Sequence, residues 1–305
     1  MGRMPGLLLL DTPSLYFRAY YGVPESITAP DGMPVNAVRG LIDMIATLVR
    51  AHTPAELVAC MDADWRPAFR VAAIPSYKAH RVATGHEEEV PDTLAPQVPV
   101  IEQVLDALGI ARVGVPGYEA DDVIGTYTAR AAGAVEIVTG DRDLFQLVDD
   151  SRPVRVLYTI KGIRNLQAID EAHVTAKYGI PGRAYADYAT LRGDPSDGLP
   201  GVPGVGDKTA AALITRFGSL EAMLRALDDG ATDGFPAGSR LKLVKARDYL
   251  AVAPAVVKVA HDAPLPEVPT AVPAAPRDPE ALVALADRYG LDGPLNRLLA
   301  VLKEV

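Results

Sequence analysis

The chain has 305 residues, of which 49% are apolar and 23% charged, proportions typical of a globular protein with a sizeable buried core. No apolar run approaches the roughly 20 residues of a membrane span, and a single cysteine excludes an internal disulfide, so we expect a cytoplasmic protein. The formal charge of −9 at first argues against a nucleic-acid partner, because such proteins more often carry a net basic face.

Short apolar runs alternate with amphipathic segments in the first half of the chain. Three of the runs, LLLL, LVACM and VEIVTG, are followed at once by Asp11, Asp62 and Asp141. Between them lie NAVRGLIDMIATLVRA, VPVIEQVLDALG and DDVIGTYTARAA, which have helical spacing. This alternation predicts an α/β fold, a mostly parallel sheet with helices on both faces. Because such sheets bind ligands outside the carboxyl ends of their strands, the three Asp residues predict one common site.

Residues 75–99, PSYKAHRVATGHEEEVPDTLAPQVP, interrupt this pattern with little apolar periodicity. Segments of this length without packing of their own are usually functional or disordered. We therefore expect a mobile excursion from the sheet.

From about residue 180, helices and tight loops replace the alternation. GVPGVGDKTA is close to a nucleotide-binding P-loop, but Asp207 separates the last glycine from Lys208, and a turn after a helix precedes it. This argues against a nucleotide cofactor. Gly201, Gly204 and Gly206 instead predict a hairpin between two helices, with backbone N–H groups close to the phosphates of a duplex and Lys208 on a further phosphate.

The sequence of the last part of the chain predicts four further elements. SRLKLVKARDYLAV has the pattern of one basic amphipathic helix. The proline-rich residues 264–279 indicate a linker or an extended surface strap, and two helices follow at about 279–289 and 294–303.

Nine acidic residues fall at strand ends, in the following loops or in the later GDPSD. Two unit charges 4 Å apart repel by about 4 kcal/mol at an effective dielectric constant near 20, so convergence of even four would require divalent cations or protons. An all-oxygen shell suits Mg²⁺ or Mn²⁺, and none of the five histidines has the spacing of zinc ligands. The nine are Asp11, Asp62, Glu119, Asp121, Asp122, Asp141, Asp143, Asp194 and Asp197.

Each acid also has an ordinary structural interpretation. The acids of GYEADDVIG could simply lie at a helix N-terminus, Asp141 could cap a helix, and GDPSDG reads as a turn. Those roles leave the repeated placement at strand ends unexplained. Without the nine, the 39 acidic residues fall to 30, equal to the 30 Lys and Arg, so a metal site would account for the whole negative balance.

At this point the chain resembles a known family, the bacterial 5′–3′ exonucleases and flap endonucleases, including the N-terminal nuclease domain of DNA polymerase I. The resemblance runs from about Leu7 to Leu250. It rests on LLLLDTPSLYFRAYY, MDADWRPAFR, YKAHR, GYEADDVIGT, VTGDRDLFQLV and GDPSDGLPGVPGVGDKTAA, in family order. It implies a PIN-like or resolvase-like domain at 1–180 with a helical arch at about 75–99, a helix–hairpin–helix (H3TH or H2TH) DNA-binding region at 181–260, and a C-terminal strap and helices at 261–305.

The resemblance also implies a function. The family hydrolyses DNA phosphodiesters with two or more divalent ions, Mg²⁺ or Mn²⁺, in primer removal or DNA repair. Asp11, Asp62, Glu119 and Asp121 would mainly serve the first ion, and the other five acids a second or further one. The implied partner is DNA with a 5′ flap, a nick or a free 5′ end, bound by a monomer with no membrane association, and a monovalent cation could sit at the hairpin loop.

The resemblance assigns roles to basic and aromatic residues as well. Tyr77 would stack on a base, Lys78 and Arg81 would stabilise charge on the scissile phosphate, and Arg18 and Arg70 would contact phosphates. Without the resemblance, Lys78 and Arg81 read as a solvated loop. The EEE at 87–89 would repel a threading strand if it faced inward.

Two other functional classes can be weighed against the nuclease. A non-catalytic DNA-binding protein would need only the hairpin, not the nine acids. A phosphoaspartyl phosphatase built on LLLLDTPSL would need a second Asp two residues after Asp11, where Pro13 stands.

Overall fold

A mixed six-stranded sheet forms the centre of the computed structural model, which describes residues 6–85 and 87–304. Its strand order is β5-β2-β1-β6-β7-β8, with every pair parallel except β7 and β8, and β3 and β4 form a separate two-stranded hairpin. The strands are β1 (Leu7–Asp11), β2 (Glu56–Cys60), β3 (Val82–Thr84), β4 (Glu87–Glu88), β5 (Ala111–Val113), β6 (Val135–Thr139), β7 (Val154–Tyr158) and β8 (Gln167–Ile169).

Helices occupy most of the remaining chain, and short 3-10 turns join several of them. The helices are α1 (Thr12–Gly22), α2 (Asn36–His52), α3 (Ala68–Ala73), α4 (Val98–Leu108), α5 (Ala120–Arg130), α6 (Glu171–Tyr178), α7 (Tyr185–Arg192), α8 (Asp207–Phe217), α9 (Leu220–Asp228), α10 (Ser239–Lys245), α11 (Arg247–Val252), α12 (Pro254–Val257), α13 (Pro279–Tyr289) and α14 (Asp292–Leu302). Among the described residues, no helix has both the length and the hydropathy that crossing a bilayer requires.

The sheet separates two hydrophobic cores. In β1 the side chains alternate, so Leu7 and Leu9 enter the core that α5, α7 and α8 cover, while Leu8 and Leu10 enter the core that α2, α4, α13 and α14 cover. A strand buried on both faces explains why β1 is a continuous leucine run. The predicted α/β sheet with helices on both faces is therefore confirmed.

The proline-rich residues 264–278 form an extended strap along the sheet. Leu57 N donates to Thr270 O at 2.8 Å, and Val272 N donates to Ala55 O at 3.1 Å. The strap carries the chain to α13 and α14, which close the second core with Leu282, Leu295 and Leu298.

Two predicted elements are wrong. SRLKLVKARDYLAV forms two short helices, α10 and α11, which meet at Ala246. The described part of 75–97 has no α-helix: it consists of 3-10 turns at Ala79–Arg81 and Ala95–Gln97 with the β3–β4 hairpin between them, so a helical arch is absent there. Its sequence lacks apolar residues at helical spacing, and isolated short helices are marginal without an apolar face to pack.

Candidate active site

A cleft of about 690 Å³ lies at the carboxyl end of the sheet and gathers most of the predicted acids. Lys78 and Arg81 share its wall with them. The predicted acids that line the cleft are Asp11, Asp62, Glu119, Asp121, Asp141, Asp143, Asp194 and Asp197. Eight of the nine predicted acids therefore meet in one place.

The sheet order explains how the first three acids meet. The three acids are Asp11, Asp62 and Asp141, and they follow the neighbouring strands β1, β2 and β6. Asp11 pairs with Cys60 of β2, and Asp62 comes two residues after Cys60. On the other side, Leu10 pairs with Val138 of β6, and Asp141 comes three residues after Val138. Asp11 also caps the N-terminus of α1, because its carboxylate accepts a hydrogen bond from Ser14 N at 3.2 Å. The same carboxylate accepts a second hydrogen bond from Thr139 Oγ1 at 2.6 Å.

The acids strongly oppose one another's ionisation. Burial raises the pKa of Asp11 to about 7, the charges of Asp141 and Asp62 add to the rise, and the Thr139 hydrogen bond opposes it. Burial, reinforced by Asp141, also raises the pKa of Asp121 and of Asp143 well above the ordinary value. The cleft therefore favours protons or cations as partners.

The all-carboxylate donor set fits hard divalent cations. Asp62 Oδ1 also accepts Ala120 N at 2.7 Å, which ties the end of β2 to the start of α5. Within 6–85 and 87–304, however, no three acidic, histidine or cysteine side chains form one closed metal-binding group, because the carboxylates are distributed over the walls of the cleft.

Asp122, the ninth predicted acid, lies outside the cleft and is fully buried. The Arg70 guanidinium binds it through two nitrogens, with N–O distances of 2.7 and 2.8 Å, and Ala260 N donates to it at 2.8 Å. Asp122 also closes a capping box with Glu119 at the start of α5. The geometry turns Asp122 away from the cleft, so its predicted role as a metal ligand is wrong in this conformation.

Arg70 is likewise placed differently from the prediction. Only 2% of it is exposed, and it contacts Glu119 and Asp122 while Nε donates to Val256 O at 3.0 Å. A buried acid pair at a helix N-terminus needs a cation, and the planar guanidinium supplies it with directed hydrogen bonds. Arg70 therefore has no face for a DNA phosphate.

Tyr77 and Lys78 both contact Glu119. Tyr77 is 4% exposed and its hydroxyl donates to Glu119 Oε2 at 2.7 Å, so the predicted stacking on a base is wrong for this conformation. The Lys78 ammonium donates to Glu119 Oε1. Although burial disfavours the charged ammonium, the Glu119 carboxylate raises the pKa of Lys78 well above its ordinary value.

The loop that carries Asp194 and Asp197 is joined to the Lys78 segment. Lys78 N donates to Asp197 O at 2.9 Å, and Arg81 Nη2 lies 3.0 Å from Asp197 Oδ1. Gly198 has φ +71°, and a Cβ on it would come within 2.2 Å of Ser76 O. This close approach requires glycine, since any side chain would separate the two segments.

The predicted hairpin lies between α7 and α8, and a 3-10 turn at Pro195–Asp197 precedes the glycine-rich loop. Gly201 and Gly204 have φ of +66° and +76°, and Gly206 caps α8 with an ordinary φ of −100°. Lys208 is exposed in the first turn of α8, and Lys242 Nζ of α10 donates to Gly204 O at 2.8 Å.

Arg18 lies outside the acidic cleft described above, in a neighbouring cleft. It lines a second cleft of about 800 Å³ with Arg164, and both clefts share Ser14, Phe17 and Gly140. Among the described atoms, the buried Nε of Arg18 has no hydrogen-bond partner. Arg18 therefore lies in a neighbouring cleft that adjoins the acidic cleft.

Three charged residues of the cleft were not predicted as part of the site: Arg142, Lys177 and Glu88. Arg142 stands between two predicted ligands in GDRD, a position that could have indicated it. Lys177 has no sequence signal, because α6 reaches the cleft only through tertiary packing. The orientation of Glu88 in EEE could not be known before the pairing of β3 with β4.

Comparisons with known proteins agree with this geometry. Two family profiles cover the chain: "5′-3′ exonuclease, N-terminal resolvase-like domain" matches residues 6–179, and "5′-3′ exonuclease, C-terminal SAM fold" matches 180–280. They confirm the predicted resolvase-like fold.

Two relatives named 5′-3′ exonuclease match this chain along nearly their whole length, and a DNA polymerase I matches it over part of its own. A 5′-3′ exonuclease of Streptomyces coelicolor is 65% identical over 97% of this chain and 99% of its own. A 5′-3′ exonuclease of Mycobacterium tuberculosis is 52% identical over 96% of both chains. DNA polymerase I of Mycobacterium bovis is 44% identical over 73% of this chain, which corresponds to 24% of the polymerase.

A solved structure has the same fold at low sequence identity. The T5 5′-exonuclease, solved with bound divalent metal ions (zinc), aligns over 98% of this chain and 99% of its own with a TM-score of 0.65 and 16% identity. The overall architecture is therefore retained where most side chains differ.

Proposed function

The chain belongs to the 5′–3′ exonuclease family, and from its cleft we propose that it hydrolyses DNA phosphodiesters at or near a 5′ end in a divalent-metal-dependent reaction. The observation that carries this proposal is the meeting of eight carboxylates with Lys78 and Arg81 at the carboxyl end of the sheet. Binding alone would not need so many acids in one cleft. Primer removal and DNA repair are the processes that such a reaction would serve.

The proposed cofactors are two or more Mg²⁺ or Mn²⁺ ions, since all candidate ligands are carboxylates. Asp11, Asp62, Glu119 and Asp121 would hold the first, and Asp141, Asp143, Asp194 and Asp197 a second or further ion. When bound, such ions activate a water and stabilise the leaving oxygen. Asp122 is omitted from this set because it is fully buried outside the cleft, where Arg70 binds both of its carboxylate oxygens. Glu119 also contacts Arg70, but it is retained because it lines the cleft.

The chain's own cations would orient the substrate. Lys78 and Arg81 line the same wall, where they would bind the non-bridging oxygens of the scissile phosphate. The Glu119 carboxylate raises the pKa of Lys78, which favours the charged ammonium and suits electrostatic stabilisation of a phosphate.

The proposed partner is DNA with a 5′ flap, a nick or a free 5′ end. The glycine hairpin and Lys208 would hold the duplex, and Arg18 would contact a neighbouring phosphate. We also propose that the enzyme acts as a monomer. We also propose that 1–180 supplies the chemistry, 181–260 the duplex contact and 261–305 the support of the sheet.

A monovalent cation at the hairpin remains part of the proposal. The backbone carbonyl groups of the hairpin would attract a cation. One of them, Gly204 O, accepts a hydrogen bond from the Lys242 ammonium at 2.8 Å. We propose that Lys242 supplies part of the positive charge at this loop.

The test is cleavage of a 5′-labelled duplex carrying a recessed end, a nick or a flap, with Mg²⁺, with Mn²⁺ and with a chelator. We expect metal-dependent products, and we expect Asp141→Asn with Asp143→Asn to abolish them while DNA binding and folding persist. The matched control is Asp248→Asn with Asp262→Asn, two exposed acids outside the cleft. If pure protein gives no metal-dependent product, a non-catalytic DNA-binding protein becomes the better description.

A further inference from the structure

The described residues of 75–97, here called the cover, lie beside the cleft and are hydrogen-bonded to the rest of the domain near both ends. At one end, Ser76 Oγ donates to Gly198 O at 2.8 Å. At the other end, Thr93 Oγ1 lies 2.8 Å from Tyr20 OH, and the buried Gln97 Oε1 accepts Ala37 N at 2.8 Å. A strand of DNA that leaves the cleft on this side would therefore meet the cover.

The β3–β4 hairpin of this cover carries three consecutive glutamates with different surroundings. Glu88 pairs with Val82 and lines the cleft, where Lys78 and Arg81 of the same segment also lie. Glu87 and Glu89 are exposed and are not among the residues that line the cleft. Of the three glutamates, the middle one alone lines the cleft in which the substrate would bind.

A carboxylate at this position affects substrates unequally. A terminal nucleotide needs only one phosphate beside Lys78 and Arg81. A long single-stranded flap carries further phosphates, and these would have to pass the cover next to Glu88. Because like charges repel most strongly where water is partly excluded, the flap meets a barrier that the terminal nucleotide avoids.

Building on the proposed function, we propose that Glu88 is a specificity-determining residue that disfavours long single-stranded 5′ flaps and directs the enzyme to nicked or free 5′ ends. The positive pair Lys78 and Arg81 attracts the phosphate at the cleavage position, and Glu88 limits how much strand can follow it. The same acidic surroundings would act on any polyanion that extends beyond the cleft.

The experiment compares Glu88→Gln with Glu87→Gln and Glu89→Gln, which change the net charge equally. Each variant is assayed on a nicked duplex and on the same duplex with a long 5′ flap. We expect Glu88→Gln to raise kcat/KM on the flap about three- to tenfold, through KM, with the nicked substrate unchanged. Glu87→Gln and Glu89→Gln should leave the ratio between the two substrates unchanged.

Equal gains on both substrates, or the same flap-to-nick ratio in all three variants, would overturn the role of Glu88. Binding of both DNAs is also measured with each substitution in the Asp141→Asn and Asp143→Asn background. In that background, Glu88→Gln must also lower the Kd for the flap substrate while leaving the Kd for the nicked substrate unchanged. If the wild type cleaves no DNA, the proposed function fails, and this binding comparison still decides whether Glu88 discriminates.

Discussion

At the scale of single residues, neighbouring acids in one stretch of sequence have opposite roles. Asp121 lines the cleft, and the adjacent Asp122 turns inward, where it caps α5 and binds Arg70. A helix advances about 100° per residue, so adjacent side chains cannot share a direction. This segment therefore contributes one acid to the cleft and another to a buried ion pair with Arg70, which we call the brace.

Arg70→Met should strongly destabilise the fold, because it leaves Asp122 as an uncompensated buried charge. We expect the free energy of unfolding to fall by about 3–5 kcal/mol, measured by urea denaturation. The control is Arg50→Met on the exposed surface of α2. This substitution should change the free energy of unfolding by less than about 0.5 kcal/mol.

A second substitution distinguishes loss of the ion pair from loss of packing. Asp122→Asn combined with Arg70→Met should cost less than the sum of the two single changes, since the buried charge is removed with its partner. Strict additivity, or a cost for Arg70→Met no larger than that for Arg50→Met, would contradict the brace.

At the scale of elements, the hairpin between α7 and α8 is a tight turn that is tied to the preceding helix. Positive φ angles at Gly201 and Gly204 turn the loop tightly, and the Asp207 carboxylate accepts the Tyr188 hydroxyl at 2.7 Å. Asp207, the residue that breaks the P-loop motif, thus anchors the start of α8 to the preceding helix. Lys208 is left exposed beside it.

Lys208→Ala should weaken binding to duplex DNA to a similar extent for all sequences. The slope of log K against log salt should flatten by about 0.9, because one fewer counterion is released. Fluorescence anisotropy across a salt series measures both effects. The control is Lys303→Ala, at the exposed end of α14, which should leave the slope unchanged. If Lys208→Ala also leaves the slope unchanged, Lys208 does not contact a phosphate.

At the scale of the whole molecule, the fold holds many negative charges at one edge of a rigid sheet. Two cores fix β1 from both faces, so Asp11 cannot move away from its acidic neighbours. Divalent cations should therefore stabilise the native state as well as enable the reaction.

Mg²⁺ should raise the thermal midpoint of unfolding, with a stabilisation of about 2.7 kcal/mol at a concentration one hundred times Kd. The effect should shrink in the protein with Asp141→Asn and Asp143→Asn, and NaCl at equal ionic strength should not reproduce it. An identical Mg²⁺ shift in that double variant would place the ion elsewhere. Differential scanning calorimetry measures all three conditions.

The same experiment has a predicted pH dependence. The pKa of Asp11 is about 7 in the folded chain against an ordinary value of 3.8, so the unfolded chain loses this proton first. Between these two values the folded state binds more protons, and the metal-free protein loses stability from this group as pH rises. Stabilisation by Mg²⁺ should grow over that interval, because binding requires the deprotonated carboxyl.

The sequence by itself determined the α/β class, the strap, the hairpin and eight of the acids that meet in the cleft. These follow from local chemistry: apolar runs bounded by acids, glycines where the backbone must turn, and the rule that parallel strands present their carboxyl ends at one edge. The family motifs pointed to the same residues.

Tertiary structure alone decided which of these side chains face the cleft. Arg70 and Tyr77 carry polar groups suited to DNA, yet both are buried against Glu119, since an acidic helix start inside the protein must find its partners there. The position of the cover depends on contacts with segments distant in sequence, such as that between Ser76 and Gly198. The orientation of Glu88 depends on how β4 pairs with β3. A sequence pattern states which groups are available, and packing determines which of them remain free to act.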